Sequence, residues 1–139
     1  MEREEHNQQL IAEFRAAREA GEDPMPGRPL VLLTTTGART GKRRTTPMMY
    51  VSDGDRLLVF ASNAGAPKHP DWHHNLVAHP EVTVEVGREV YDAFAVVTEG
   101  AERERLWART VERYPFFAEH QAQIKRQIPV IALERRPAT

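Results

Sequence analysis

The chain has 139 residues, with 19 Lys and Arg against 20 Asp and Glu for a formal charge of −1, and no cysteine. That length suits a single domain, which would bury about 70% of its unfolded surface. Near-neutrality excludes a general polyanion-binding face, so any attraction for phosphate or carboxylate has to come from a local cluster, and nucleic-acid binding ranks last. The lack of cysteine excludes disulfides, thiolate metal sites and thiol catalysis. No apolar run approaches the roughly 18 residues of a membrane span and the polar N-terminus does not read as a secretory signal, so a cytoplasmic protein is expected.

Residues 3–20 are rich in Glu, Arg, Gln and Ala, and Leu10, Ile11, Phe14 and Ala17 form one narrow apolar stripe at helical spacing. The stripe predicts a helix docked on the flank of the domain; the alternative is an arm that touches a membrane surface or a partner. Gly21 and then Asp23-Pro24-Met25-Pro26-Gly27 read as a linker. The organisation expected is therefore an amphipathic helix and linker over 1–27 and a ligand-binding domain over 28–139.

Leu30 to Thr36 has the β-branched content and length of a buried strand. The loop that follows, Gly37-Ala38-Arg39-Thr40-Gly41-Lys42-Arg43-Arg44, places four cations in six residues beside two glycines. Such a turn suits a phosphate or carboxylate, through its side chains and through backbone N–H groups that the glycines free to turn outward. It is not a Walker loop, because three residues separate the glycines and Lys42 is followed by arginine. A solvated hairpin tip explains the same spacing equally well.

A second apolar run covers Met48 to Val51, and Asp53-Gly54 then marks a hairpin into a third, Leu57 to Ala61. Pro70 should start a short helix through Trp72 and Asn75, closed by Pro80. Val82, Val84 and Val86 alternate with Thr83 and Glu85 as in a half-buried strand. Val90 to Val97 is apolar on both faces, which predicts a strand that sits deep. Trp107, Val111 and Tyr114 share one face of a helix over 101–114, stopped by Pro115. A polar stretch to Gln127 leads to a last strand over 128–133. Six or seven hairpin-linked strands with flanking helices, without βαβ alternation, predict a mainly β, α+β architecture built on an antiparallel barrel or sandwich.

The histidines give little support for a metal site: His69, His73, His74 and His79 lack a zincin glutamate, and no third ligand is evident. Ser62 has no nucleophile-elbow context. Trp72, Trp107, Tyr114, Phe116 and Phe117 suit a wall for a flat ligand or simply a core.

Leu33 through Pro47, then Ala61-Ser62-Asn63-Ala64-Gly65, Pro70-Asp71-Trp72-His73-His74-Asn75-Leu76, Tyr114-Pro115 and Ile128-Pro129-Val130 together resemble the deazaflavin-dependent nitroreductase and quinone reductase family over roughly residues 28–134. The resemblance implies a split β-barrel and an oxidoreductase that takes hydride from reduced coenzyme F-420, with quinones and activated nitroaromatics as acceptors. It places Arg39, Thr40, Lys42 and Arg44 at the cofactor's phosphodiester and acidic tail. It sets Thr46, Pro47, Met48 and Met49 along the ring, Ala61, Ser62 and Asn63 at the ring's polar edge, and Trp72 and Asn75 over the pocket. Tyr114 and Ser62 are its catalytic candidates, no metal is implied, and a homodimer and peripheral membrane contact are both compatible with it. FMN or haem in the same barrel, or a non-catalytic carrier of the deazaflavin or a fatty acid, are the alternative readings. At Met49, Phe117 and His120 the chain departs from nitroreductases that carry tyrosine there, and at Asn63 from those with lysine. The missing hydroxyls point away from nitroimidazole turnover.

Overall fold

A computed structural model describes residues 2–24 and 29–136; the core of the expected linker, 25–28, lies outside the described residues. Among the described residues seven strands are formed, β1 (Leu30–Thr36), β2 (Arg43–Met49), β3 (Val51–Asp53), β4 (Arg56–Phe60), β5 (Glu81–Val86), β6 (Glu89–Val97) and β7 (Val130–Arg135). The helices are α1 (Glu2–Glu19), α2 (Asp71–Ala78), α3 (Gly100–Arg113) and α4 (Phe116–Ala122), with a 3-10 turn at Asn63–Gly65.

All seven strands belong to one sheet, ordered β2-β1-β5-β6-β7-β4-β3, with every neighbouring pair antiparallel. The two edges of that sheet are β2 and β3, yet only Tyr50 stands between them in the chain. One residue step spans about 3.8 Å, so the sheet has to curl until its edges almost meet. The result is the expected α+β split barrel.

Alternation along the strands sorts inside from outside. Val31 and Leu33 of β1 point inward with Val59, Val84, Ile131 and Leu133, and α2 lays Leu76 and the partly buried Trp72 on the same cluster. On the outer face, Leu32 packs under Ile11 and Phe14 of α1. The apolar stripe of α1 is thus used in docking, with Phe14 only 1% exposed. A second outer cluster joins Leu58 and Phe60 of β4 to Leu106 of α3 and Phe117 of α4.

Two elements differ from the sequence expectation. The strand β6 is central, and its inward Ala93 and Ala95 are buried, but Val90, Phe94 and Val96 on its outer face stay exposed at 53%, 38% and 37%. The helices cover β1 and β4 and leave that face bare, so its apolar pattern did not mean burial on both sides. The polar stretch after Pro115 contains α4, whose Phe117 is buried while its remaining turns are largely exposed.

Candidate cofactor and acceptor site

The basic loop is a tight structure between β1 and β2. Gly37 N–H donates to Lys42 O (2.8 Å) and Gly41 N–H to Gly37 O (2.9 Å). Lys42 N–H donates to Thr40 Oγ1 (3.2 Å), and Ala38 N–H donates to Asn75 Oδ1 (3.0 Å), which ties the loop to α2. A Cβ on Gly37 would meet Thr40 Oγ1 at 2.5 Å, so any larger residue would force Thr40 out of its place in the turn. These four amides are spent inside the protein. Of the loop's backbone donors, the N–H groups of Arg39 and Thr40 carry no bond to a described residue, and with them the side chains of Arg39, Lys42, Arg43 and Arg44 are left to attract an anion. Arg43 and Arg44 already belong to β2. Arg43 is partly committed, donating to Thr36 Oγ1 (2.9 Å) and Thr83 Oγ1 (2.7 Å).

Three hollows run on from one another across this side of the barrel. A basin of about 840 Å³ is walled by Arg39, Thr40, Lys42, Arg43, Arg44 and Asn75, with Asp71 its single carboxylate. A passage of about 480 Å³ shares Arg43, Arg44, Asp71 and Asn75 with the basin, and adds Thr35, Arg15 and Asn7. A groove of about 590 Å³ shares Asn7, Thr46, Asp71 and Trp72 with the passage and is walled by Pro47, Met48, Met49, Phe60, Phe116 and Phe117. Cations thus gather at one end of this channel of adjoining hollows, and apolar walls at the other, where Lys68 also stands.

Most of the expected site residues meet along this channel. Arg39, Thr40, Lys42, Arg44 and Asn75 surround its basic end, and Thr46, Pro47, Met48, Met49, Ser62, Asn63 and Trp72 line the groove. Ala61 is fully buried and lines none of the three hollows, its N–H donating to Pro129 O (3.2 Å). Tyr114 is not among the residues lining the three hollows; it packs against the outer cluster with its ring 6.1 Å from that of Phe116. The three positions that depart from tyrosine, Met49, Phe117 and His120, all face the groove.

The loop after β4 is held by a residue the sequence did not single out. Arg126, in the segment before β7, donates from one terminal nitrogen to Ala61 O (3.0 Å) and His69 Nδ1 (3.0 Å). From the other it donates to Ser62 O, Ala66 O and Lys68 O, each at 3.1 Å. Gln121 of α4 fixes this segment in turn, donating to Arg126 O (2.7 Å) and accepting from Ile128 N–H (2.9 Å). Asn63 closes the loop from inside: it takes φ of 49°, which asparagine tolerates, and its Nδ2 donates to Lys68 O (3.1 Å). Ser62 is so presented with its hydroxyl unbonded to any described residue.

His69, His73 and His74 cluster beside this loop, with ring centroids 4.4 to 5.8 Å apart. Among the described residues no group of three metal-ligating side chains is placed to hold an ion. Burial, with His69, His74 and Arg126 adding like charge, pushes the His73 imidazole from 6.5 down to about 4. Between those values the unfolded chain binds a proton that the folded chain refuses, so stability present above pH 6.5 is lost as pH falls toward 4. Urea unfolding at pH 5 should therefore show about 1 to 2 kcal/mol less stability than at pH 7. His73→Leu should remove most of that difference, and an unchanged slope would show that other groups set it.

The channel also suits the group that the resemblance implies. A long ligand with a flat head and an anionic tail matches apolar walls at one end and cations at the other. Thr35 Oγ1 is buried in the passage wall without a hydrogen-bond partner, and so is Nδ1 of His120 in the groove wall. Buried polar atoms of that kind are rare unless a ligand or water completes them. Thr35 was not foreseen, because a threonine within a strand gives no periodic signal, and His120 entered only as a departure from a tyrosine of related reductases.

Comparison with known proteins agrees. Residues 7–135 match the family model described as F420H(2)-dependent quinone reductase. An F420H(2)-dependent quinone reductase of Mycobacterium tuberculosis is 40% identical over 116 residues, covering 81% of this chain and 78% of that protein. A solved F420-H2 dependent reductase superposes with a TM-score of 0.70 at 46% identity, over 77% of this chain and 95% of its own. Another solved structure, described as a domain-swapped dimer, gives 0.71 at 46% identity over 77% of this chain and 81% of its own. With its curled seven-stranded sheet and two-ended channel, this chain belongs to the F420H(2)-dependent quinone reductase family and is an F-420-dependent oxidoreductase.

Proposed function

We propose that this protein reduces a quinone with hydride from reduced coenzyme F-420. The row of adjoining hollows, rich in cations at one end and walled by Met48, Phe60, Trp72 and Phe116 at the other, is the observation that carries the reading. When bound, the deazaflavin supplies the hydride, and the chemistry is the cofactor's.

The protein's part is binding, orientation and exclusion of water. Arg39, Lys42 and Arg44, with Thr40 shaping the turn, hold the anionic tail. Thr46 to Met49, Ala61, Asn63, Trp72 and Asn75 frame the ring, and Ser62 offers its hydroxyl at the ring's polar edge. The acceptor lies in the remainder of the groove against α4. A second copy of the chain is the assembly this reading favours, supported by the bare apolar face of β6 and by the dimeric relative. Ile11 and Phe14 of the α1 stripe are buried and Leu10 and Ala17 half-buried, and no described helix is long and apolar enough to cross a membrane.

The test is oxidation of reduced F-420 by a soluble naphthoquinone, followed by return of the oxidised cofactor's absorbance. Quinone-dependent oxidation supports the reading; binding without oxidation would make the protein a carrier, and turnover with FMN alone would replace the cofactor. Tyr114 enters this proposal through the resemblance. Tyr114→Phe is expected to lower turnover several-fold and leave F-420 affinity within twofold, and unaltered turnover would remove it from the mechanism.

A further inference from the structure

Arg126 does more than fasten a loop. Its guanidinium can only donate, so the 3.0 Å contact to His69 Nδ1 requires that nitrogen to be the unprotonated one. Neutral imidazole carries one N–H, which is then on Nε2. Burial, with Arg126 and His74 nearby, lowers the His69 pKa below 6.5, so the ring is neutral at neutral pH. His69 lines the groove, whose walls also include Phe116, Phe117 and His120, and it lines neither the passage nor the basic basin.

We propose that His69 is a hydrogen-bond donor, through Nε2–H, to a carbonyl oxygen of the electron acceptor, and that Arg126 is the positioning residue that fixes this tautomer. The inference rests on the proposed quinone reduction. A neutral donor suits a quinone, which arrives uncharged and gains electron density on oxygen as it is reduced. A donor aimed where charge develops contributes most to turnover. Gln121 supports the arrangement by holding the Arg126 backbone, so α4 supplies both the groove wall, through Phe116, Phe117 and His120, and the anchor behind His69. The absence of a carboxylate among the described partners of Arg126 is consistent with this. A carboxylate there would compete for the guanidinium and free Nδ1 to take the proton.

Two measurements test it. Long-range proton–nitrogen NMR of the purified protein, assigned by His69→Asn, should show His69 as the Nε2–H tautomer, and Arg126→Met should abolish that preference. Steady-state assays with a soluble naphthoquinone should show kcat/KM reduced about tenfold in His69→Phe and partly restored in His69→Asn, whose amide can donate. F-420 affinity by tryptophan quenching should stay within twofold in both. An Nδ1–H tautomer overturns the proposal. So does a His69→Phe variant with unchanged quinone kinetics, or one whose loss lies in F-420 affinity. Wild-type protein inactive with every quinone overturns the functional reading instead, and the tautomer spectrum still decides what Arg126 does.

Discussion

Alanine at both Arg39 and Arg44 is expected to weaken F-420 binding by about 100-fold. Each side chain is exposed and each lines the basic basin, with Arg44 also lining the passage to the groove. A charge-assisted hydrogen bond to phosphate or carboxylate is worth about 1.5 to 3 kcal/mol when desolvated and less at the surface. Taking about 1.4 kcal/mol for each residue gives roughly tenfold per arginine and 100-fold for the pair. Four of the loop's amides are bonded within the protein, so only those of Arg39 and Thr40 remain to offset the loss. Quenching of Trp72, which stands in the groove wall, gives the affinity directly. Added salt should weaken the wild type more than the variant, since the interaction removed is the screened one. FMN, with one phosphate and no acidic tail, should bind less tightly and respond less to the substitutions. A change below threefold for F-420 would mean that the basin is not where the tail lies.

How far the sequence disclosed this site follows from what kind of signal each part leaves. The strand over Leu30 to Thr36 was legible to the residue because it is an apolar run rich in β-branched Val and Thr and ended by a glycine. The Asp53-Gly54 hairpin was legible because a tight turn needs positive φ, and Gly54 indeed adopts 63°. The basic loop announced its cations but not its amides, whose partners lie across the turn and on α2 and leave no trace in spacing. Arg43 and Arg44 read as loop because they are charged, whereas they begin a strand whose pairing with Thr36 and Thr35 is set by β1. Arg126 was invisible for a related reason: it bonds backbone carbonyls up to 65 residues away, and a carbonyl has the same identity at every position. Burial of β6 on one face only was decided by where the helices pack, which the strand's own pattern does not encode.

Glu85→Ala should cost about 2 to 3 kcal/mol and loosen one wall of the channel. Glu85 sits on the outer face of β5 beneath α1, paired across to Leu32, and its side chain is only 6% exposed. Arg15 Nε and Arg18 donate to one carboxylate oxygen at 3.1 and 2.7 Å, and Arg15 reaches the other at 2.8 Å. Burial by itself would push the Glu85 carboxyl up, but the two guanidinium groups hold it below its ordinary 4.5. Stability from this cluster is thus complete above pH 4.5 and lost as pH falls through the lowered value. That window lies below most of the His73 transition, so acid unfolding should show both. Removing the carboxylate leaves two cations against the barrel without a counter-charge, which for a buried pair costs about 3 to 5 kcal/mol and less here because Arg15 is 41% exposed. The consequence for function comes through α1, which supplies Asn7, Ile11 and Arg15 to the passage and Asn7 to the groove. Hydrogen exchange of α1 amides should quicken ahead of the barrel strands, with F-420 affinity falling a few-fold. Glu85→Gln, which keeps an acceptor oxygen, should lie between. Unchanged exchange in α1 would show that Ile11 and Phe14 on Leu32 suffice to dock the helix without the ion pairs.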